Sequence, residues 1–113
     1  MKLMDNKHNM KNGTELIAAE RQRQIEQEGW TPEHDANHTY EELIRAAKCY
    51  LTAAEATSHS KNNITFTGYR KGEPAPKDWP WEDSWWKPSD EPIKNLVKAG
   101  ALIAAEIDRI KSL

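Results

Sequence analysis

The chain has 113 residues, a net charge of −2, 37 % apolar and 30 % charged residues, and one Cys. A chain of that length fits one modest core and not two. The charge balance speaks against a general DNA or RNA binder, which needs a basic surface, and the lone Cys excludes an internal disulfide or a multi-Cys zinc site. Thirteen Ala and a single Val favour helices over sheet, and five Trp against one Phe is the compositional oddity. No apolar run approaches the roughly 20 residues that span a bilayer, and no signal-peptide core is present, so a cytoplasmic protein without membrane contact is expected.

In chain order, residues 1–12 (MKLMDNKHNMKN) are polar and aperiodic and read as a flexible tail ahead of one helical domain over 13–113. A first helix is expected over about 14–28, with Thr14 as N-cap, Glu15 at the positive end and Gly29 as the stop. Its apolar stripe, Ile17, Ala18 and Ile25, is thin and shared with Arg21 and Glu28, so neighbours must hold it. Arg21 on that stripe either pairs with a carboxylate such as Glu28 or meets an anion; Arg23 reads as solvated.

A second helix is expected over about 39–55. Thr39 and Glu42 fit a T-x-x-E capping box, and Tyr40, Leu43, Ile44, Ala47, Tyr50, Leu51 and Ala54 fall within one arc of core-facing width. Arg45, Lys48 and Cys49 project from the other side, which makes the Cys a semi-exposed bystander.

Periodicity fails from Thr57 to Pro88, where four of the six Pro lie. The first half of this long Trp/Pro-rich loop has room for a short β-hairpin around ITFTGYR (64–70), or for disorder; the second half holds Trp79, Trp81, Trp85 and Trp86, whose rings are costly to leave in water. The third helix is expected over about 90–111, capped by Ser89 or Asp90, with Pro92 in its first turn. Ile93, Leu96, Val97, Gly100, Ile103, Ala104, Ile107 and Ile110 form one apolar face. Ala99, Leu102 and Ala105 lie on what should be the polar side, so this helix is expected to be covered on two sides, by the Trp segment or by a second subunit. The fold class is therefore mainly α, a three-helix core with a long loop between helices two and three.

Chemistry concentrates in two places. The turn GWTPEHDANH (29–38) carries Trp30, Thr31, Glu33, His34, Asp35 and His38; a His34/His38 metal pair is possible in composition, but Pro32 and the cap at Thr39 make the stretch a turn rather than the helix such a pair needs. Its polar side chains serve equally to tie down loop backbone. The Trp cluster, followed by Lys87, is a roof for the core or a stacking platform for a flat ligand, and both hold if two rings pack inward and two face a cleft. Acidic residues Glu15, Glu20, Glu41, Glu42, Glu106 and Asp108 lack the E-x-x-E and E-x-x-D spacings of helical nucleotide pyrophosphohydrolases, and no phosphate-loop or nucleophile motif occurs.

The segments ERQRQIEQEGWTPEHD (20–35), EELIRAAKCYL (41–51), WPW (79–81) and WWKPSDEPIKNLVKAGALIAAEI (85–107) resemble a recurrent family of short phage and prophage proteins, over roughly residues 15–54 and 79–110. A fainter resemblance, carried by Arg23, Gly29, Trp30, Thr31, Asp35 and His38, is to the ryanodine-receptor-type repeat, without its Tyr-Gly after the Trp or its His-Pro…Val-Pro-Tyr segment. The phage resemblance implies an accessory protein used against a bacterial host. Such proteins include homo-oligomeric sponges that sequester nucleotide-derived immune signals, and direct inhibitors of host proteins. The resulting expectation is a non-enzymatic homo-oligomer binding a nucleotide-type signal. In it Trp30, Trp79, Trp81, Trp85 or Trp86 stacks on the base, Arg21 and Lys87 meet phosphates, and His34, Asp35 and His38, next to Thr31, bond ribose. Neither a cofactor nor a metal is implied. The alternatives are an inhibitor that docks through the Trp-rich surface and a metal-dependent nucleotide hydrolase.

Overall fold

The structure is a computed structural model, and it describes residues 11–28, 41–58 and 69–113. Those residues form three α-helices, α1 (Gly13–Glu28), α2 (Glu42–Ser58) and α3 (Pro92–Lys111), with a 3-10 turn at Asp83–Trp85 and no strand. The fold is mainly α, as composition and periodicity require. The expected hairpin region falls largely in 59–68, outside the described residues, and the part described, from Tyr69 onward, is not a strand.

Each helix begins where a local rule permits, though not always at the residue expected. Asn12, not Thr14, caps α1: the Glu15 N–H donates to Asn12 Oδ1 at 2.9 Å, and the Asn12 N–H donates back to Glu15 Oε1 at 2.9 Å. This is a capping box with Asn in the first position, and it draws Asn12 out of the presumed tail. The expected caps Thr39 and Gly29 lie outside the described residues. Helix α2 starts at Glu42, immediately after Glu41, whose φ of 83° is unusual for a residue with a side chain. At α3 neither Ser89 nor Asp90 is the cap; Glu91 is, without a side-chain bond of its own. Ser89 contributes differently, its Oγ accepting from the Glu91 N–H at 3.0 Å while its backbone is clamped by Asn95.

Helix α3 packs against both other helices, most extensively α2. Its α2 side consists of Ala99, Leu102 and Ala105, which join Leu43, Ala46, Ala47, Cys49, Tyr50 and Ala53 of α2 in the core. Small residues on both helices let the backbones approach closely, and Leu102, wholly buried, fills the space between. The face expected to be buried is thereby reversed: Ile93, Leu96, Ile103, Ile107 and Ile110 are exposed. Two more expectations fail on α2, where Cys49 is buried and Leu51 is exposed. Burial pushes the Cys49 thiol up to about 11, with the charge of Asp78 adding to it. The cause is the same in each case. Close Ala-rich contacts, rather than the largest apolar side chains, set the angle at which α2 and α3 meet.

Helix α1 lies against a second side of α3, at Gly100. A Cβ built there would fall 2.6 Å from Ile17 Cδ1 and 2.9 Å from its Cγ1, so the glycine creates the seat for Ile17. Arg21, buried on α1, reaches Asp108 at 3.4 Å farther along the same side. Gly100→Ala is expected to change stability by about 1 kcal/mol or less, since the gain in helix propensity offsets the shift that Ile17 must make at Cγ1 as well as at Cδ1. Gly100→Leu is expected to cost about 1–3 kcal/mol by levering α1 away. Urea denaturation of the two variants checks the contrast.

Candidate functional site

Where α1 passes the end of the Trp segment, the chain leaves a shallow cleft open to solvent, of which only about 20 Å³ is enclosed. It is lined by Glu20, Arg23, Gln24 and Glu28 of α1, Tyr50 of α2, Trp85 and Lys87 of the loop, and Lys98 and Leu102 of α3. The spacing of α1 sets one wall, because residues 20, 23/24 and 28 recur at one helical turn and so share a face. The 3-10 turn at Asp83–Trp85 sets the other: its N–H bonds from Trp85 to Glu82 and from Trp86 to Asp83, both 3.0 Å, send consecutive rings in opposite directions. Trp86 enters the core and Trp85 stays 43 % exposed at the cleft.

Tyr50 ties the two walls together. Its ring packs on Trp86 at a tilt of 39° with centroids 4.8 Å apart and meets Trp79 edge-on at 5.7 Å. Its hydroxyl accepts the Lys87 backbone N–H at 3.2 Å, which fixes where Lys87 enters the cleft. Burial pushes that phenol up to about 12, so it stays a neutral hydroxyl at physiological pH. Lys98 Nζ sits 5.7 Å from the centre of the same ring.

The charges are arranged around Arg23. It donates to both Glu20 oxygens, Nε at 2.9 Å and Nη2 at 2.8 Å, and its Nη1 lies 3.0 Å from Glu28 Oε2. Hydrogen bonding to Glu20 holds the guanidinium well above its ordinary value. Burial would raise Glu20, but the bond and charge of Arg23, helped by Lys98, outweigh it and leave the carboxyl lowered. Lys98 is lowered instead, because burial costs its ammonium more than Glu20 returns. Three cations thus face two carboxylates, and both carboxylates are already held by Arg23, so an excess of positive potential falls to Lys87 and Lys98. Gln24 is buried and gives its amide N–H to Glu20 Oε2 at 3.3 Å, which turns its carbonyl Oε1 the other way; that oxygen is buried with no donor. A buried acceptor left open costs about 1–3 kcal/mol unless something donates to it.

Of the residues singled out from the sequence, Trp85 and Lys87 line this cleft. Trp79 and Trp86 are core residues, and Trp81 is half-buried, edge-on against Trp79 at 5.3 Å. Arg21 is directed to Asp108 instead. Trp30, Thr31, His34, Asp35 and His38 lie outside the described residues. Arg23, read as solvated, is the electrostatic centre of the cleft, and Glu20, Gln24, Glu28, Tyr50 and Lys98 were not singled out as ligand contacts. Two signals for them exist in the sequence: the 20–23/24–28 charge spacing on a helix with a thin apolar stripe, and Lys98 as a cation set within the most apolar helix. Among the described residues no three His, Cys, Asp or Glu side chains gather as a metal set. Glu106 and Asp108 are engaged by Arg109 and Arg21. No helix of the described residues is long and apolar enough to cross a membrane.

No protein-family model matches the chain, and neither a curated protein nor a solved structure matches it.

Proposed function

We propose that the protein binds, without transforming, a small anionic ligand that carries a flat ring, a nucleotide-type molecule, in the cleft between α1, α3 and the Trp segment. In the setting that the phage resemblance implies, such binding sequesters a host signal. The observation that supports this reading best is one juxtaposition: the half-exposed Trp85 ring lines the same cleft as Lys87 and Lys98. An aromatic face accepts a base by stacking, and two ammonium groups donate hydrogen bonds to phosphate. The enclosed part of the cleft is only about 20 Å³, far below the roughly 300–1,000 Å³ of closed ligand sites, so a ligand would lie across its mouth with one edge against Trp85 and the lysines.

Glu20 and Glu28 are poor metal ligands while Arg23 neutralises them, which favours binding over metal-dependent hydrolysis. Docking of a host protein on the Trp surface retains only Trp81 and Trp85 as anchors, because Trp79 and Trp86 are spent on the core.

Calorimetric titration with cyclic dinucleotides, mononucleotides and ADP-ribose tests the reading. At least one should release heat and quench Trp fluorescence, with affinity falling as salt rises. Trp85→Ala and Lys98→Met should each weaken it by about tenfold or more, on the scale of one stacking contact or one charge-assisted bond. Lys98→Met should not lower thermal stability, since it removes an ammonium that burial disfavours. Absence of heat from every ligand, or unchanged affinity in both variants, overturns the proposal.

A further inference from the structure

Helix α3 has a third side. Seen down its axis, α1 sits over Gly100 and Asp108 and α2 over Ala99, Leu102 and Ala105, and the remaining stripe is open. That stripe is apolar throughout: Ile93, Leu96, Ile103, Ile107 and Ile110 are 40 to 64 % exposed. Its positions step by three, seven, four and three residues, the heptad-like spacing by which one helix meets another along a coiled-coil seam, with Gly100, filled by Ile17 of α1, in the gap. We propose that a second copy of this chain covers it, the two α3 helices packing antiparallel about a two-fold axis near residues 101–102.

Three features favour this occupant and orientation. The exposed aliphatic side chains amount to on the order of 500 Å² per copy, at the upper end of what a monomer displays and a large share of the roughly 800 Å² per partner in a standard interface. The ends of the helix also differ in charge: Asp90 and Glu91 are exposed at its start, Glu91 pairing with Lys94 at 3.5 Å, and Lys111 is exposed at its finish. Antiparallel pairing brings acidic start to basic finish and opposes the helix dipoles. The half-buried Ile17, seated at Gly100, extends the apolar surface onto α1. Lys98 and Leu102, which line the cleft, lie on another side of α3, so pairing leaves the cleft open and is independent of the ligand reading.

The mass in solution, measured by light scattering across micromolar concentrations, should be that of a dimer. Ile103→Glu with Ile107→Glu should weaken the dimer by about a hundredfold or more, as expected for charges placed at an interface centre, with helix content and ligand affinity retained. A mixture of Ile93→Cys and Ile110→Cys proteins, oxidised with diamide, should give the mixed disulfide, because these positions face each other only in the antiparallel arrangement; the buried Cys49 does not compete. A monomeric wild type, a dimer indifferent to the two glutamates, or cross-links within each variant alone would overturn the proposal.

Discussion

Trp86→Ala is expected to destabilise the fold by about 3–5 kcal/mol, the range for truncating a buried aromatic ring. The adjacent Trp85→Ala should cost about 1 kcal/mol or less, as for a surface position. The difference arises from the 3-10 turn, which directs neighbouring indoles to opposite environments. Trp86 is buried between Tyr50, Trp79 and Tyr69, with ring centroids 4.8, 4.9 and 6.2 Å away. Its removal opens a void at the junction of α2 and the loop, and Tyr50 loses the ring it packs against. Against a total stability of about 5–15 kcal/mol for a domain of this kind, that is a large fraction. Urea unfolding followed by far-UV circular dichroism measures both variants. Equal losses would show that the turn does not sort the two rings.

Asn95→Leu is expected to cost about 2–4 kcal/mol, although it places an apolar side chain of similar size in a wholly buried position. The amide of Asn95 accepts from the Ser89 N–H at 2.9 Å and donates to the Ser89 carbonyl at 2.8 Å. This pair of bonds fastens the end of the Trp segment to the first turn of α3. Leucine leaves two backbone groups unmatched, each worth about 1–3 kcal/mol when shut away from water, and the cost is less where water enters. Asn95→Asp should not rescue, since the carboxylate lacks the donor and buries a charge. Amide hydrogen exchange gives a local readout: Ser89 should lose protection before the helices do. Because Lys87 lies two residues upstream, Asn95→Leu should also loosen the cleft wall. A variant as stable as the parent would remove Asn95 from this role.

Much of the architecture was legible because helices obey local rules. Ala-rich stretches, Pro92 at the head of α3 and the spacing of apolar positions in α2 place three helices within three residues of their ends in the structure. The capping box of α1 was legible too, in the N-x-x-E of Asn12 and Glu15, since Asn outranks Thr as a cap by residue type and Thr14 is followed three residues on by Ile17 rather than by Glu or Gln. The inward-facing Trp could not be told from the outward-facing one by type, since both are Trp in the same Pro-bounded run. Arg23 looked solvated because a helical wheel does not reveal that Glu20 and Glu28 bracket it beside Lys98 of another helix.

What the sequence by itself determined, then, is the set of helices and the presence of an aromatic segment that must find cover, since backbone propensity and hydrophobicity act within a few residues. Tertiary structure decided which side of α3 is buried. Its middle is apolar nearly all round, so periodicity cannot choose a face. The choice falls to the closeness with which two backbones can meet, and alanine on α2 and α3, with glycine beneath Ile17, permits the tighter contact. The isoleucines are left facing outward, and the polar side of α1 is drawn in, bringing Arg23, Gln24 and Lys98 to one cleft.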